Sequence, residues 1–317
     1  MRVEDPTGCA ATSARVGEPA TGTAAVSSCW VAVQQDGPWG ARAITQSRLD
    51  PAIGAALDRA VSAVGGRFAL LRPPGAHAHV DDMPRLVLMA GGPVHAPWLV
   101  RGHLTAPERL LDLPADALAD PTPARMLATF PELSASPTPV LLVCTNGRRD
   151  RCCAIRSRPV AAAAHRARPG QVFETTHLGG HRFAPTAVLL PTGQTYARLD
   201  ATTAVAALDE ATSGTIPTGL ADAEHNRGRS GLSRPAQAAE QAIRELTGCR
   251  SILAPRVGPP TAQGENHWRV PVTLPGIGAW AVDVTRTASP VRRPESCGKS
   301  PSQVDIWQTR ADLRKQV

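Results

Sequence analysis

VLLVCTNGRRDRCCAIRSRPVAAAAHRARPGQVFETTHLGGHRFAPTAVLL, residues 140–190, is the stretch on which the reading of the chain turns. An apolar β-like run over 140–144 ends in Cys144, and Ser157 with Pro159 marks a helix start that predicts a helix over 158–167. A second β-like run over 172–176 stops just before His177. Strands over 187–190 and 195–199 then flank the turn Pro191-Thr192-Gly193, and a helix follows over 202–211.

The earlier part of the chain has the same order. Residues 27–34 (SSCWVAVQ) read as a strand closed by the turn Asp36-Gly37-Pro38-Trp39-Gly40. Asp50-Pro51 opens a helix that runs to about residue 64, where Gly65-Gly66 stops it. Strands follow over 67–72, 85–89 and 98–101, with a short helix over 106–113. A βαβ unit followed by a hairpin and a helix is the order of a thioredoxin-like unit. The expected architecture is therefore α/β, a thioredoxin-like unit over 134–215 paired with a degenerate thioredoxin-like unit over 26–133 that lacks the Cys and His pairs of the second. Residues 1–25 read as a mobile N-terminal tail in which Cys9 is incidental. Residues 216–290 form an extension, with an irregular connection, a helix over 236–246 and a hairpin of strands over 268–274 and 280–285. Residues 291–317, which include Cys297, read as a proline-rich C-terminal tail.

The chemistry concentrates on two loops. Eight residues separate Cys144 from Cys153, and three separate His177 from His181. Two thiolates and two imidazoles can complete one tetrahedral metal ion, or the two irons of a [2Fe-2S] cluster. Gly147 frees the first loop, and Gly179-Gly180 allow the second to approach a bulky centre closely. A single cysteine or histidine here would read as a buried thiol or a hydrogen-bonded loop imidazole. The four together favour a metal centre.

At CTNGRRDRCCA (144–154), ETTHLGGHRFAPTAVLLPTG (174–193) and RGRSGLSRPAQAAEQA (227–242) the chain resembles the sucrase/ferredoxin-like proteins. The resemblance implies a thioredoxin-like ferredoxin domain whose C-x8-C and H-x3-H pairs hold a non-Rieske [2Fe-2S] cluster. Those pairs carry over onto Cys144, Cys153, His177 and His181, with Cys152 as the competitor for the second thiolate. Two ferric ions, two sulfides, two thiolates and two neutral imidazoles sum to zero charge. Such a centre is easier to reduce than one with four thiolates, as Rieske centres are at about −150 to +300 mV against about −400 mV for plant-type clusters. The resemblance thus implies an electron carrier or redox module more than a substrate-turnover enzyme.

Composition narrows the alternatives. The net charge of +7 is almost wholly arginine, the only lysines being Lys299 and Lys315. Arg148, Arg149, Arg151, Arg156, Arg158 and Arg182 surround the ligand loops, either as a solvated face or as a dock for an acidic redox-partner protein. No aromatic-plus-basic platform or zinc-finger spacing suggests nucleic acid. No apolar run reaches the ~18 residues of a membrane span. An odd cysteine count and an N-terminus without an apolar run read as cytoplasmic. His77, His79, His95, His103, His165, His225 and His267 lack paired spacing with cysteine. Ser230 misses the G-x-S-x-G elbow, and no carboxylate pair nominates glycoside hydrolysis. Two competitors remain: a structural zinc module on the same Cys2His2 set, and a thiol-disulfide oxidoreductase using Cys144 with Cys152 or Cys153 but lacking CxxC.

Overall fold

The computed structural model describes residues 8–76 and 83–313. His77 and His79 lie outside these residues.

A short helix α1 (Cys9–Arg15) precedes strand β1 (Trp30–Gln34), helix α2 (Pro51–Ala63) and strands β2 (Arg67–Arg72), β3 (Arg85–Gly91) and β4 (Trp98–Leu104). Asp50 caps α2 by accepting from Ala52 N at 2.7 Å, with Pro51 in the first turn. The expected helix over 106–113 is instead a 3-10 segment, Pro107–Asp112, followed by helix α3 (Ala124–Thr129) and strand β5 (Leu133–Ala135). The second half comprises β6 (Val140–Cys144), α4 (Arg151–Ala167), β7 (Val172–Thr175), β8 (Ala187–Leu190), β9 (Gln194–Tyr196) and α5 (Ala201–Thr212).

Among the described residues, ten strands form one sheet in the order β10-β9-β8-β6-β7-β2-β1-β3-β4-β5, where β10 is Asn226–Arg229. β1 and β6 each lie between a parallel partner, β2 or β7, and an antiparallel one, β3 or β8. The halves meet where β2 and β7 pair antiparallel through Leu71 with Thr175 and Arg72 with Glu174. At that seam Arg72 Nε bonds Glu174 Oε2 at 2.8 Å with both side chains 2% exposed.

The strands bury alternate residues on opposite faces, as a period of two requires. Val31, Val33, Leu70, Val87 and Met89 pack with Leu57 and Val61 of α2. Leu141, Val143, Val172, Ala187 and Leu189 pack with Ala161 and Ala164 of α4 and with Ala204 and Leu208 of α5. The intervening residues, among them Ala32, Leu71, Leu88, Leu142, Phe173 and Val188, form a third cluster that crosses both halves. Cys144, Cys152, Cys153 and Leu178 belong to it, so the segments that follow β6 and β7 close one end of a shared core.

The expected tails differ from what is built. Cys9 is fully buried in α1, and residues within 18–27 bond to 223–230 through the backbone. Helix α6 (Arg234–Thr247) packs on a second sheet of β11 (Arg256–Val257), β12 (Thr261–Gly264), β13 (His267–Leu274), β14 (Gly278–Ala288) and β15 (Asp305–Leu313). β15 pairs with β14 over nine residues, and this hydrogen-bonded ladder turns part of the expected C-terminal tail into a strand.

Candidate functional site

Cys144 is fixed by the sheet: its N–H donates to Thr186 O at 2.9 Å, and the next N–H, of Thr145, donates to Thr175 O at 3.1 Å. The chain then turns through Asn146, whose Oδ1 accepts from Arg148 N at 3.2 Å and whose Nδ2 donates to Gly40 O at 3.1 Å in the turn after β1. Gly147 is required by contact, since a Cβ there would lie 2.5 Å from Ala154 Cβ.

Helix α4 begins seven residues earlier than Pro159 suggests. Asp150 is its cap, accepting from Cys152 N at 2.9 Å, and Pro159 sits inside the helix, where it removes one backbone donor. Both vicinal cysteines therefore lie on the first turn of a helix. Consecutive helical residues point about 100° apart. Cys153 faces Cys144 and lies 3.7 Å from His181 Nδ1, whereas Cys152 faces Cys9 and Cys297.

The second loop hangs from the first half. Thr176 N donates to Leu70 O and accepts through Oγ1 from Leu70 N, both at 3.1 Å, and Arg67 Nη2 donates to His177 O at 3.1 Å. Gly179 and Gly180 take φ of 81° and 72°, the left-handed region that glycine enters without penalty. A Cβ on Gly180 would strike the Arg227 guanidinium at 2.5 Å. That guanidinium donates to Gly179 O at 3.1 Å and to Thr23. The turn brings His177 and His181 into a stack, with ring centroids 4.4 Å apart.

Cys144, Cys153, His177 and His181 thus lie in one cluster, the thiols buried and the imidazoles half-buried. A hydrogen bond from Cys153 holds the Cys144 thiol well below its usual range against the opposing cost of burial, helped by His177 and the Leu178 N–H. Donating that bond, with burial, pushes Cys153 up. Burial and the neighbouring His177 lower His181 to about 4. Burial, then repulsion from Arg182, lowers Arg227 to about 9, while Cys144 attracts its charge.

Two cavities flank the histidines. One of about 650 Å³ runs past His177, Arg42, Arg59, Arg67 and Arg149. Another of about 550 Å³ adjoins His181, Arg149, Arg182 and Lys299. Arg148, Arg149, Arg151 and Arg158 are exposed, while Arg156 and Arg182 are half-buried. Arg182 Nε bonds Glu18 Oε1 at 2.7 Å, and buried Glu18 also takes Ser13 Oγ at 2.8 Å and Arg293.

A second group was not foreseen from the sequence. Cys9, Asp150, Cys152 and Cys297 bring their ligand atoms within 4.8 Å of one another, a group that could hold a metal ion. The Cys-Cys doublet and the capping aspartate were visible, but nothing local marks Cys9 or Cys297 as their neighbours. His165 and His225 bond Val172 O at 2.9 Å and Asp222 Oδ1 at 2.8 Å, and His267 lies 3.5 Å from Asp283.

A family model described as sucrase/ferredoxin-like matches residues 20–219. The chain belongs to the sucrase/ferredoxin-like family. The matched span takes in both halves of the large sheet up to α5, and so includes Cys144, Cys153, His177 and His181. No curated protein and no solved structure matches the chain significantly. Among the described residues no helix is long and apolar enough to cross a membrane.

Proposed function

We propose that this protein transfers electrons through one [2Fe-2S] cluster held by Cys144, Cys153, His177 and His181, on the second of two thioredoxin-like units. The observation that carries the reading is the chain of pairwise contacts that links Cys144, Cys153, His181 and His177 at the end of the shared core, in a member of the sucrase/ferredoxin-like family. The thioredoxin-like label is motivated by the strand order around β1 and β6, each with its crossover helix. When bound, the cluster would accept and release a single electron.

The chain's own residues suit that task. Cys144 is already biased toward the thiolate that metals bind. The Leu178 N–H directed at its sulfur supplies a hydrogen bond of the kind that tunes such centres. Arg67 and Arg227 offset negative charge on the inner side of the loop, where burial strengthens their effect. Outside it, Arg149, Arg182 and Lys299 beside His181 suit docking of an acidic redox-partner protein. A cytoplasmic location is part of the same proposal, motivated by an odd number of cysteines without disulfides among the described residues.

Protein purified without oxygen should be red-brown and contain about two irons and two acid-labile sulfides per chain. A colourless protein with zinc on Cys144 and His177 would sink the reading in favour of a structural zinc module. A Cys144–Cys153 disulfide that cycles with a thiol reductant, without iron, would replace it with thiol-disulfide exchange.

A further inference from the structure

Cys9 in α1, Cys152 at the start of α4 and Cys297 in the segment before β15 come from three distant parts of the chain. Their sulfurs nevertheless touch: Cys9 Sγ lies 3.6 Å from both Cys152 Sγ and Cys297 Sγ, and those two are 3.0 Å apart. The Asp150 oxygens lie 3.7 and 3.8 Å from Cys9 Sγ. We propose that Cys9, Cys152, Cys297 and Asp150 hold a structural Zn2+ ion, a second metal site separate from the Cys144 cluster.

The spacing is that of a single ion. Zn–S bonds of about 2.3 Å and Zn–O bonds of about 2.0 Å at tetrahedral angles place sulfurs about 3.8 Å apart and sulfur about 3.5 Å from oxygen. Two of the sulfur pairs and both sulfur–oxygen distances are within about 0.3 Å of those values, and the Cys152–Cys297 pair has only to open. Three sulfurs in mutual contact match the ligand shell of a single ion. Soft thiolates select Zn2+ over Mg2+ or Ca2+.

The surroundings are those of a ligand set. Asp150 accepts from Cys152 N at 2.9 Å and from Ser296 Oγ and Cys297 N, both at 2.8 Å, which fills three of about four lone-pair positions and leaves one for a metal. The backbone N–H of Ala10 is directed at Cys152 Sγ, and that of Cys9 at Cys297 Sγ. Outer bonds of this kind orient metal-bound thiolates. Without a cation, three thiol sulfurs and the Asp150 carboxylate are crowded against one another in one small space. A dication relieves that crowding by admitting all three thiolates. The ion would cross-link residues 143 and 145 positions apart onto the turn that carries Cys153, closing long loops of the unfolded chain.

The test is zinc and iron content of the full chain expressed with added Zn2+ and desalted. Wild type should hold about one zinc per chain. Cys9→Ala and Cys297→Ala should each lose most of it while keeping iron, and Cys144→Ser should keep zinc while losing iron. Should the alanine variants fail to fold, Co2+ titration of Cys144→Ser supplies the second measurement. Thiolate-to-cobalt charge transfer and tetrahedral d–d bands at one equivalent support the site. Zinc that follows Cys144 and not Cys297, a Cys152–Cys297 disulfide by mass spectrometry of the wild type, or three thiols that alkylate freely in excess Zn2+ would each overturn it.

Discussion

The two halves of the large sheet invite superposition by hydrogen bonds. Cys144 is the last residue of β6 to pair with β7, opposite Thr175, and Gln34 is the last of β1 to pair with β2, opposite Leu71. The next N–H groups agree as well, Gln35 N bonding Leu71 O and Thr145 N bonding Thr175 O. Gln34 therefore stands where the second half has Cys144. Counting onward from Leu71 and Thr175, Pro73 stands where it has His177. The first half has the scaffold without the donors, and it supplies Arg67, Gly40 and Leu70 as supports for its partner's loops. Chemistry here depends on what ends a strand, while the sheet itself is indifferent to it.

The largest effect should come from the paired positions themselves. Cys144→Ser is expected to abolish iron and sulfide binding, whereas Gln34→Ala should leave the iron-to-chain ratio unchanged. Equal loss in both would show that the halves act as one ligand frame. Next comes the seam. Glu174→Ala leaves buried Arg72 without its carboxylate and should cost about 3–5 kcal/mol by urea denaturation. Asp209→Ala, which breaks the half-exposed Arg168–Asp209 pair, should cost less than about 1 kcal/mol.

A smaller effect, in the potential, belongs to the second half alone. Reduction adds negative charge beside His177 and His181 and favours a proton on an imidazole, so the potential should fall as pH rises between the oxidised-state and reduced-state histidine pKa values. The limiting slope is about 59 mV per pH unit, flattening outside that window. Protein-film voltammetry reads it, and His181→Cys should lower the potential and weaken the slope. A wild-type potential that is level over the whole stable range would remove the histidines from the cluster. The smallest contrast lies in the caps of the two crossover helices. Asp50→Ala should cost about 1 kcal/mol and leave metal content intact. Asp150→Ala should cost more, because Asp150 also holds Ser296 and Cys297.

Strands β1 to β4 and β6 to β8, with helices α2 and α5, were legible because alternating or helical apolar spacing sits between clear turn residues. The approach of Cys144 to Cys153 and of His177 to His181 was legible because each pair is separated by only one short loop. The start of α4 was misjudged because Pro159 imitates a first-turn proline, while Asp150, the actual cap, follows a run of loop residues. β15 escaped notice because most of its residues are at least partly exposed, so no apolar stripe announces it. Cys9 and Cys297 could not be read at all: their meeting depends on both ends of the chain folding back onto α4.

Glu18 gathers Ser13, Arg182 and Arg293 into one buried knot, and Glu295, Ser296 and Lys299 line the cavity beside His181. A chain emerging from the ribosome exposes its four candidate ligands well before these last contacts can form, since folding follows the order of synthesis. Under the proposed function, a cluster would enter most easily at that stage, before the knot forms. Chains stalled before residue 293 emerges should accept a cluster faster than released, apo protein, and equal rates would show that the knot does not bar entry.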